Sequence, residues 1–464
     1  MLLVLFGCAT TTEEPVPERV EIPEEEAPPV SPVEEAYESI SLAVTLGNPM
    51  DAIAAYEAAE LEDPDSPDTQ VLLANLYLAA GEVASAEEVL RRVLETDPEN
   101  LEARFSMALI LGARGDEDGR EELLLEILEI DPEHAAAQAA YGEIQLQNRR
   151  FEAAEEAFAA SLAQEEDNLV ALVGLGNVKL RLSEPEPEQA EVLLTRAIEI
   201  APEFPFSYVD RSRARAMQYR LEEAEADLDR AIELDDEYLW HRYDRGNVRL
   251  ERRDMVGAVE DYTWVIEHDP DIFLTYVYRA RAYDSMGDRE AAAADYREAL
   301  RQRPDYEPAY GPLAVLLFEL GEYDDAARYF DQTWNITDPA VPADPAYALL
   351  SSLSLKHAGR EAESREYIED QAASFPRPSI YWEIARYYIT PSYEGRVIQE
   401  VNTEEERALQ VRGKFFLAAR MELLGRTRSA VNLYRDVVDE DLRGLVVTRL
   451  AAHRYGILTE EPQE

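Results

Sequence analysis

The side chains able to carry out bond chemistry are few and poorly grouped. The five histidines (His134, His241, His268, His357 and His453) are scattered, and no two share the spacing that binds a metal from one helix face. There is no Gly-x-Ser-x-Gly and no His-Glu-x-x-His, and Gly413-Lys414 lacks the upstream glycine of a phosphate-binding loop. Gly115-Asp116-Glu117-Asp118-Gly119 holds carboxylates like a calcium loop, but the spacing is wrong and the terminal ligand is missing. It reads as an acidic turn. Cys8 is the sole cysteine, which excludes an intramolecular disulfide and a multi-cysteine metal site. The expectation is a chain with no catalytic residue, no metal ligand and no cofactor, and not an enzyme.

Charge narrows the partners. Among 464 residues, 97 acidic against 44 basic side chains leave a net charge of -53, which repels phosphate and argues against nucleic acid. Only three basic residues are lysine (Lys179, Lys356 and Lys414). A strongly hydrated surface suited to a salty medium and a GC-rich genome both account for so much arginine. Hydrophobic residues at 46 % can still bury a core. No apolar run reaches the roughly 18 residues of a membrane-spanning helix.

At the N-terminus, Leu5-Phe6-Gly7-Cys8 follows a short apolar run and resembles a bacterial lipobox, although Phe6 is bulkier than usual there. The resemblance implies that Cys8 is acylated and becomes the mature N-terminus, a stable membrane anchor if it carries more than one chain. No basic segment precedes the run, so the true start is expected upstream of Met1. Residues 9–32, rich in Glu, Pro and Thr, read as an extended tether. In Gram-negative lipoproteins an aspartate after the cysteine favours the inner membrane, so Ala9 points to the outer one.

The rest of the chain follows a ruler. Asp63-Pro64, Asp97-Pro98 and Asp131-Pro132 stand 34 residues apart, and after a two-residue slip the marks resume at Asn168, Pro202, Asp236, Pro270 and Pro304. Twelve residues before a mark the side chain is small: Ala52, Ala86, Ala190, Ala224, Ala258, Ala292. Eight before it the side chain is large: Tyr56, Leu90, Leu194, Leu228, Tyr262, Tyr296. Five before it stand Ala59, Val93, Ala197, Ala231, Val265 and Ala299. A glycine often lies seventeen before it: Gly47, Gly81, Gly115, Gly287, Gly321, Gly359. Each unit thus reads as helix, glycine turn, helix and Pro-marked turn. Ser183-Glu184-Pro185-Glu186-Pro187-Glu188 explains the slip by lengthening one turn between helices.

This pattern resembles the tetratricopeptide repeat. The resemblance implies an all-α, right-handed superhelical solenoid of tandem helix-turn-helix repeats. About eleven units begin near 33, 67, 101, 135, 169, 205, 239, 273, 307, 345 and 404. The expected organisation is a lipoprotein signal remnant at 1–8, the tether at 9–32, and about ten repeats at 33–378. An irregular linker or degenerate repeat follows at 379–403, then a degenerate repeat with its capping helix at 404–458 and a disordered tail at 459–464. The aromatic run Tyr381 to Tyr388 reads as core. The usual first-helix Trp is mostly absent, while Leu175-Gly176 and Arg245-Gly246 keep the family's glycine.

The family's concave face is lined by the first helix of each unit and holds peptides or partner segments. Helix spacing places Phe206, Arg213, Trp240, Tyr243, Asn247, Tyr278 and Arg281 there, and aromatics and Arg dominate interface energies. The family's Lys/Asn grip on a terminal carboxylate is not supported: Asn75, Asn177 and Asn247 are present, but their companions are Val71, Val173 and Tyr243. Net charge is about -35 over residues 1–204 and about -18 over the remaining 260, so the later region is less repulsive to an acidic or peptide partner. The expected function is a non-catalytic, lipid-anchored scaffold of the cell envelope holding a protein or peptide segment, facing the periplasm. The alternatives are an accessory that passes a small ligand to a transporter, and a cytoplasmic adaptor.

Overall fold

The computed structural model describes residues 39–41, 43, 48–58, 66–336, 344–442 and 444–460. Cys8, the tether, Gly47, Ala59, Asp63-Pro64 and residues 461–464 lie outside them. Among the described residues there is no β-strand, and none of the helices is long and apolar enough to cross a membrane. The chain divides into two compact units, Met1–Asn148 and Arg149–Glu464.

The first unit contains α1 (Pro49–Ala58), α2 (Pro67–Ala79), α3 (Val83–Thr96), α4 (Leu101–Ala113), α5 (Glu117–Ile130) and α6 (Ala135–Gln147). The second begins with α7 (Phe151–Gln164) and continues in pairs: α8 (Leu169–Arg181) with α9 (Pro187–Ile200), α10 (Pro205–Met217) with α11 (Leu221–Leu234), α12 (Leu239–Glu251) with α13 (Met255–His268), and α14 (Phe273–Met286) with α15 (Arg289–Gln302). Then come α16 (Tyr310–Glu319) with α17 (Tyr323–Trp334), α18 (Pro345–His357) with α19 (Glu361–Gln371), α20 (Ile380–Ile389) with α21 (Glu394–Thr403), α22 (Arg407–Leu423) with α23 (Thr427–Asp439), and a last helix α24 (Val446–Glu460). These are the tandem helix pairs that the 34-residue ruler demands.

The ruler's apolar positions are the core. Ala86, Ala190, Ala224, Ala258 and Ala292 are fully buried, as are Leu90, Leu194, Leu228 and Tyr262. The small side chain lets two helices approach, and the large one fills the space between pairs. Helix starts are capped at the mark: Asn100 Oδ1 accepts from Ala103 N at 2.9 Å, and Asn168 Oδ1 from Ala171 N at 3.0 Å. The turn inside most pairs uses one left-handed residue. Gly81, Gly115, Gly287, Gly321 and Gly359 supply it, and Arg149, Tyr219 and Arg253 hold the same conformation (φ 58°, 59° and 65°) at the same repeat offset.

A second periodic device is ionic. Arg211, Arg245 and Arg279, one repeat apart, each reach a buried aspartate on the second helix of the same pair: Asp227, Asp261 and Asp295. All three grips are bidentate, with N–O distances of 2.6–3.0 Å. The planar guanidinium matches a carboxylate fork, which an ammonium cannot do. Some of the arginine bias therefore has a structural use here.

One apolar core runs from Tyr276 to Ala451. Asp344 takes Arg412 Nη2 at 2.8 Å and the Tyr381 hydroxyl at 3.0 Å, tying α18, α20 and α22 together. Residues 379–403, expected as an irregular linker or a degenerate repeat, contain the helices α20 and α21, with Tyr387, Tyr388, Val397 and Val401 buried. The expected tail at 459–464 begins too early, since α24 runs on to Glu460.

Candidate partner-binding groove

The first helices α8, α10, α12 and α14 stand side by side, and their second position carries Val170, Phe206 and Trp240 in three successive repeats. These three are 44 %, 38 % and 42 % exposed. A row of large apolar side chains left part-exposed to water at one repeat position marks a surface able to bind a partner.

Between α10 and α12 lies a cleft of about 370 Å³, lined by Phe206, Arg213, Tyr238, Trp240, His241 and Asp244 among others. Its walls are aromatic. Phe206 meets Tyr238 edge-on at 5.4 Å and His241 at 5.7 Å, while Tyr238 lies 4.8 Å from His241. His241 is buried, its Nε2 has no hydrogen-bond partner, and burial lowers its pKa, so the ring is neutral near pH 7.

From Trp240 the rings continue along the groove. Trp240 and Tyr243 are 5.2 Å apart, Tyr243 and Tyr278 5.9 Å, and the Arg281 guanidinium sits 5.6 Å from the Tyr278 ring. Burial pushes the Tyr243 and Tyr262 hydroxyls up, so both stay protonated.

A polar ladder crosses the same face. Asn177 Nδ2 donates to Asp210 Oδ2 at 2.5 Å, and Arg213 joins Asp210 (2.8 Å) to Asp244 (2.9 Å). Burial pushes the Asp210 carboxyl up, opposed by Asn177 and Arg213.

The sequence-derived residues thus separate by role. Phe206, Trp240, Tyr243 and Tyr278 come together as one aromatic track. Arg213 is already held by two carboxylates of its own chain. The side-chain oxygen of Asn247 is taken by the Tyr262 hydroxyl at 2.9 Å, which ties it to the second helix. Arg281 is exposed and makes no ion pair among the described residues. Cys8 lies outside them. No cluster of three or more His, Cys, Asp or Glu able to hold a metal occurs among the described residues. Sequence reasoning missed Tyr238 and His241. A signal existed for Tyr238: Phe204 and Tyr238 are both aromatic at the residue just before a first helix.

The tetratricopeptide repeat family model matches residues 43–110 and 285–353. Both stretches carry tetratricopeptide repeats. The groove at 205–281 falls between them and keeps their 34-residue register. Among solved structures, a tetratricopeptide repeat protein from Parabacteroides merdae is 18 % identical, covering 55 % of this chain and 98 % of that one, with a TM-score of 0.40. PilF of Pseudomonas aeruginosa is 17 % identical over 44 % of this chain and 92 % of its own, at 0.39. YrrB, described as a repeat protein with an unusual peptide-binding site, is 21 % identical over 41 % and 96 %, at 0.35. A comparison with curated proteins finds no match.

Proposed function

We propose that this chain is a non-catalytic scaffold whose tetratricopeptide groove, across α10, α12 and α14, holds a segment of another protein. We propose further that an acylated Cys8 anchors it in the bacterial cell envelope, facing the periplasm. The observation that carries the groove reading is the exposed Val170, Phe206 and Trp240 row beside the aromatic cleft. Exposed aromatics in a concave surface are the usual anchors of protein interfaces. From Tyr276 onward the apolar residues form one continuous core, and the exposed row lies on first helices that precede it. The anchor reading is supported by residue order alone: an apolar run, Cys8, then a Pro/Glu-rich segment. Ala9 favours the outer membrane.

Two experiments test the two halves. Mass spectrometry of the mature N-terminus, after expression with its upstream sequence, should find a diacyl- or triacyl-modified Cys8. An unmodified chain that retains Met1 makes the protein a cytoplasmic adaptor. For the groove, a photo-crosslinking amino acid at position 240 should join a partner peptide, and the same label at Val256 should not. The paired Trp240→Ala and Arg281→Ala variant should keep its circular dichroism and lose that partner. The cleft volume favours a second reading, delivery of a small solute, since about 370 Å³ is at the low end for organic ligands. Crosslinks to no polypeptide would support it.

A further inference from the structure

Resting on the groove reading, we infer that Arg281 selects an acidic side chain of the bound segment, placed within about five residues of the large apolar side chain held near Trp240. The ninth residue of one first helix reaches the sixth residue of the next: Asn177 reaches Asp210, and Arg213 reaches Asp244. Arg281 is the ninth residue of its helix, and the sixth residue of the following unit is Pro312, which offers no carboxylate. The ladder itself stops at Asp244, since Asn247 is taken by Tyr262, and Arg281 has no carboxylate partner among the described residues.

The nearest acid on the same helix face is Asp284, one turn along. It is not available either. Arg449 of α24 holds both of its oxygens, at 2.7 and 2.8 Å. Asp244, on the other side, is held by Arg213. In a chain of charge -53, the Arg281 guanidinium is exposed, lies over the Tyr278 ring and pairs with no carboxylate among the described residues. A carboxylate arriving there forms a charge-assisted pair without displacing one of the chain's own.

Geometry sets the spacing. The three steps from Trp240 through Tyr243 and Tyr278 to Arg281 measure 5.2, 5.9 and 5.6 Å, a path of roughly 17 Å at most. An extended segment rises about 3.3 Å per residue, so five residues or fewer separate its apolar anchor from its acid.

The test is selection of a displayed library of random 12-residue peptides on the full chain and on Arg281→Gln. The expected wild-type pool carries Asp or Glu within five residues of Phe, Trp, Leu or Ile, and the Arg281→Gln pool keeps the apolar residue and loses the acid. Changing that acid to its amide in a selected peptide should weaken binding about five- to tenfold on the wild type, and leave it unchanged on the variant. Arg281→Lys should retain some of the preference. An apolar pool without acids, a pool rich in Lys and Arg, or an acid preference that survives Arg281→Gln overturns the inference while the groove stands. A wild-type pool that never rises above background removes the groove reading, and this inference with it.

Discussion

Arg449 and Asp284, 165 residues apart, meet in a bidentate ion pair of 2.7 and 2.8 Å. The same guanidinium also holds Glu319 at 2.6 and 2.9 Å. One arginine on the last helix therefore joins the first helices of two earlier repeats, and it does so beside Leu450 and Ala451, which are fully buried.

Breaking that junction should be expensive. Glu319 is nearly inaccessible to solvent, and Arg289 (2.9 Å) remains as its other cation. Arg449→Ala leaves buried carboxylate surface short of a partner and should destabilise the second unit by about 3 kcal/mol. Urea unfolding measures the loss. Hydrogen exchange should rise first in α14, α16 and α24. Equal protection in both proteins would mean that α24 is held by its apolar face alone.

The repeated Arg–Asp forks make a prediction about chemistry, not only charge. Arg245 grips Asp261 through two nitrogens and also reaches Asp229 at 2.7 Å. Arg245→Ala should cost about 3–5 kcal/mol, because Asp261 is left buried and unpaired except for Arg249. Arg245→Lys should recover less than half of this, since an ammonium cannot match the fork. A joint Arg245→Met and Asp261→Leu change should come close to wild type. Chemical denaturation of the four proteins decides among these outcomes.

Tyr219 is mostly exposed and sits in the left-handed conformation that six other helix pairs among the described residues give to glycine. Its side chain packs little and its backbone is strained by roughly 1 kcal/mol. Tyr219→Gly should therefore raise stability by about 0.5–1 kcal/mol, visible as a higher urea midpoint. A lower midpoint would show that the ring makes contacts worth more than the strain.

Acid should weaken the second unit through His357. Its ring packs on Phe318 and Tyr323, its Nε2 lacks a partner, and burial lowers its pKa from 6.5 to about 4. The unfolded chain takes up this proton below about pH 6.5 and the folded chain only near pH 4. The stability due to the neutral ring is thus present above pH 6.5 and lost as the pH falls towards 4, by on the order of 3 kcal/mol. The drop between pH 7 and pH 4.5 should be smaller in His357→Gln. Equal slopes for the two proteins would assign acid sensitivity to the carboxylates.

Much of this fold was legible because each repeat is a local event. Two helices that pack over 34 residues must bury Ala224 and Leu228 in one pair and Ala258 and Tyr262 in the next, so spacing alone located the core. The same register brought Phe206, Trp240, Tyr243 and Tyr278 onto one face. It could not tell Arg213 from Arg281, which share a repeat offset. Their difference rests on the next repeat, where Asp244 answers one and the register position for the other is Pro312, which has no carboxylate.

By itself, then, the sequence determined the helix pairs, their register, the small and large core positions, and the face that carries the aromatics. Nearest-neighbour packing repeats with the chain and leaves a periodic trace. Only the tertiary structure decided that residues 379–403 are a further helix pair, that His241 is sealed behind Phe206 and Tyr238, and that Arg449 withdraws Asp284 from Arg281. The last of these depends on how helices far apart in the chain meet, a sum of small angles between pairs that leaves no period to read.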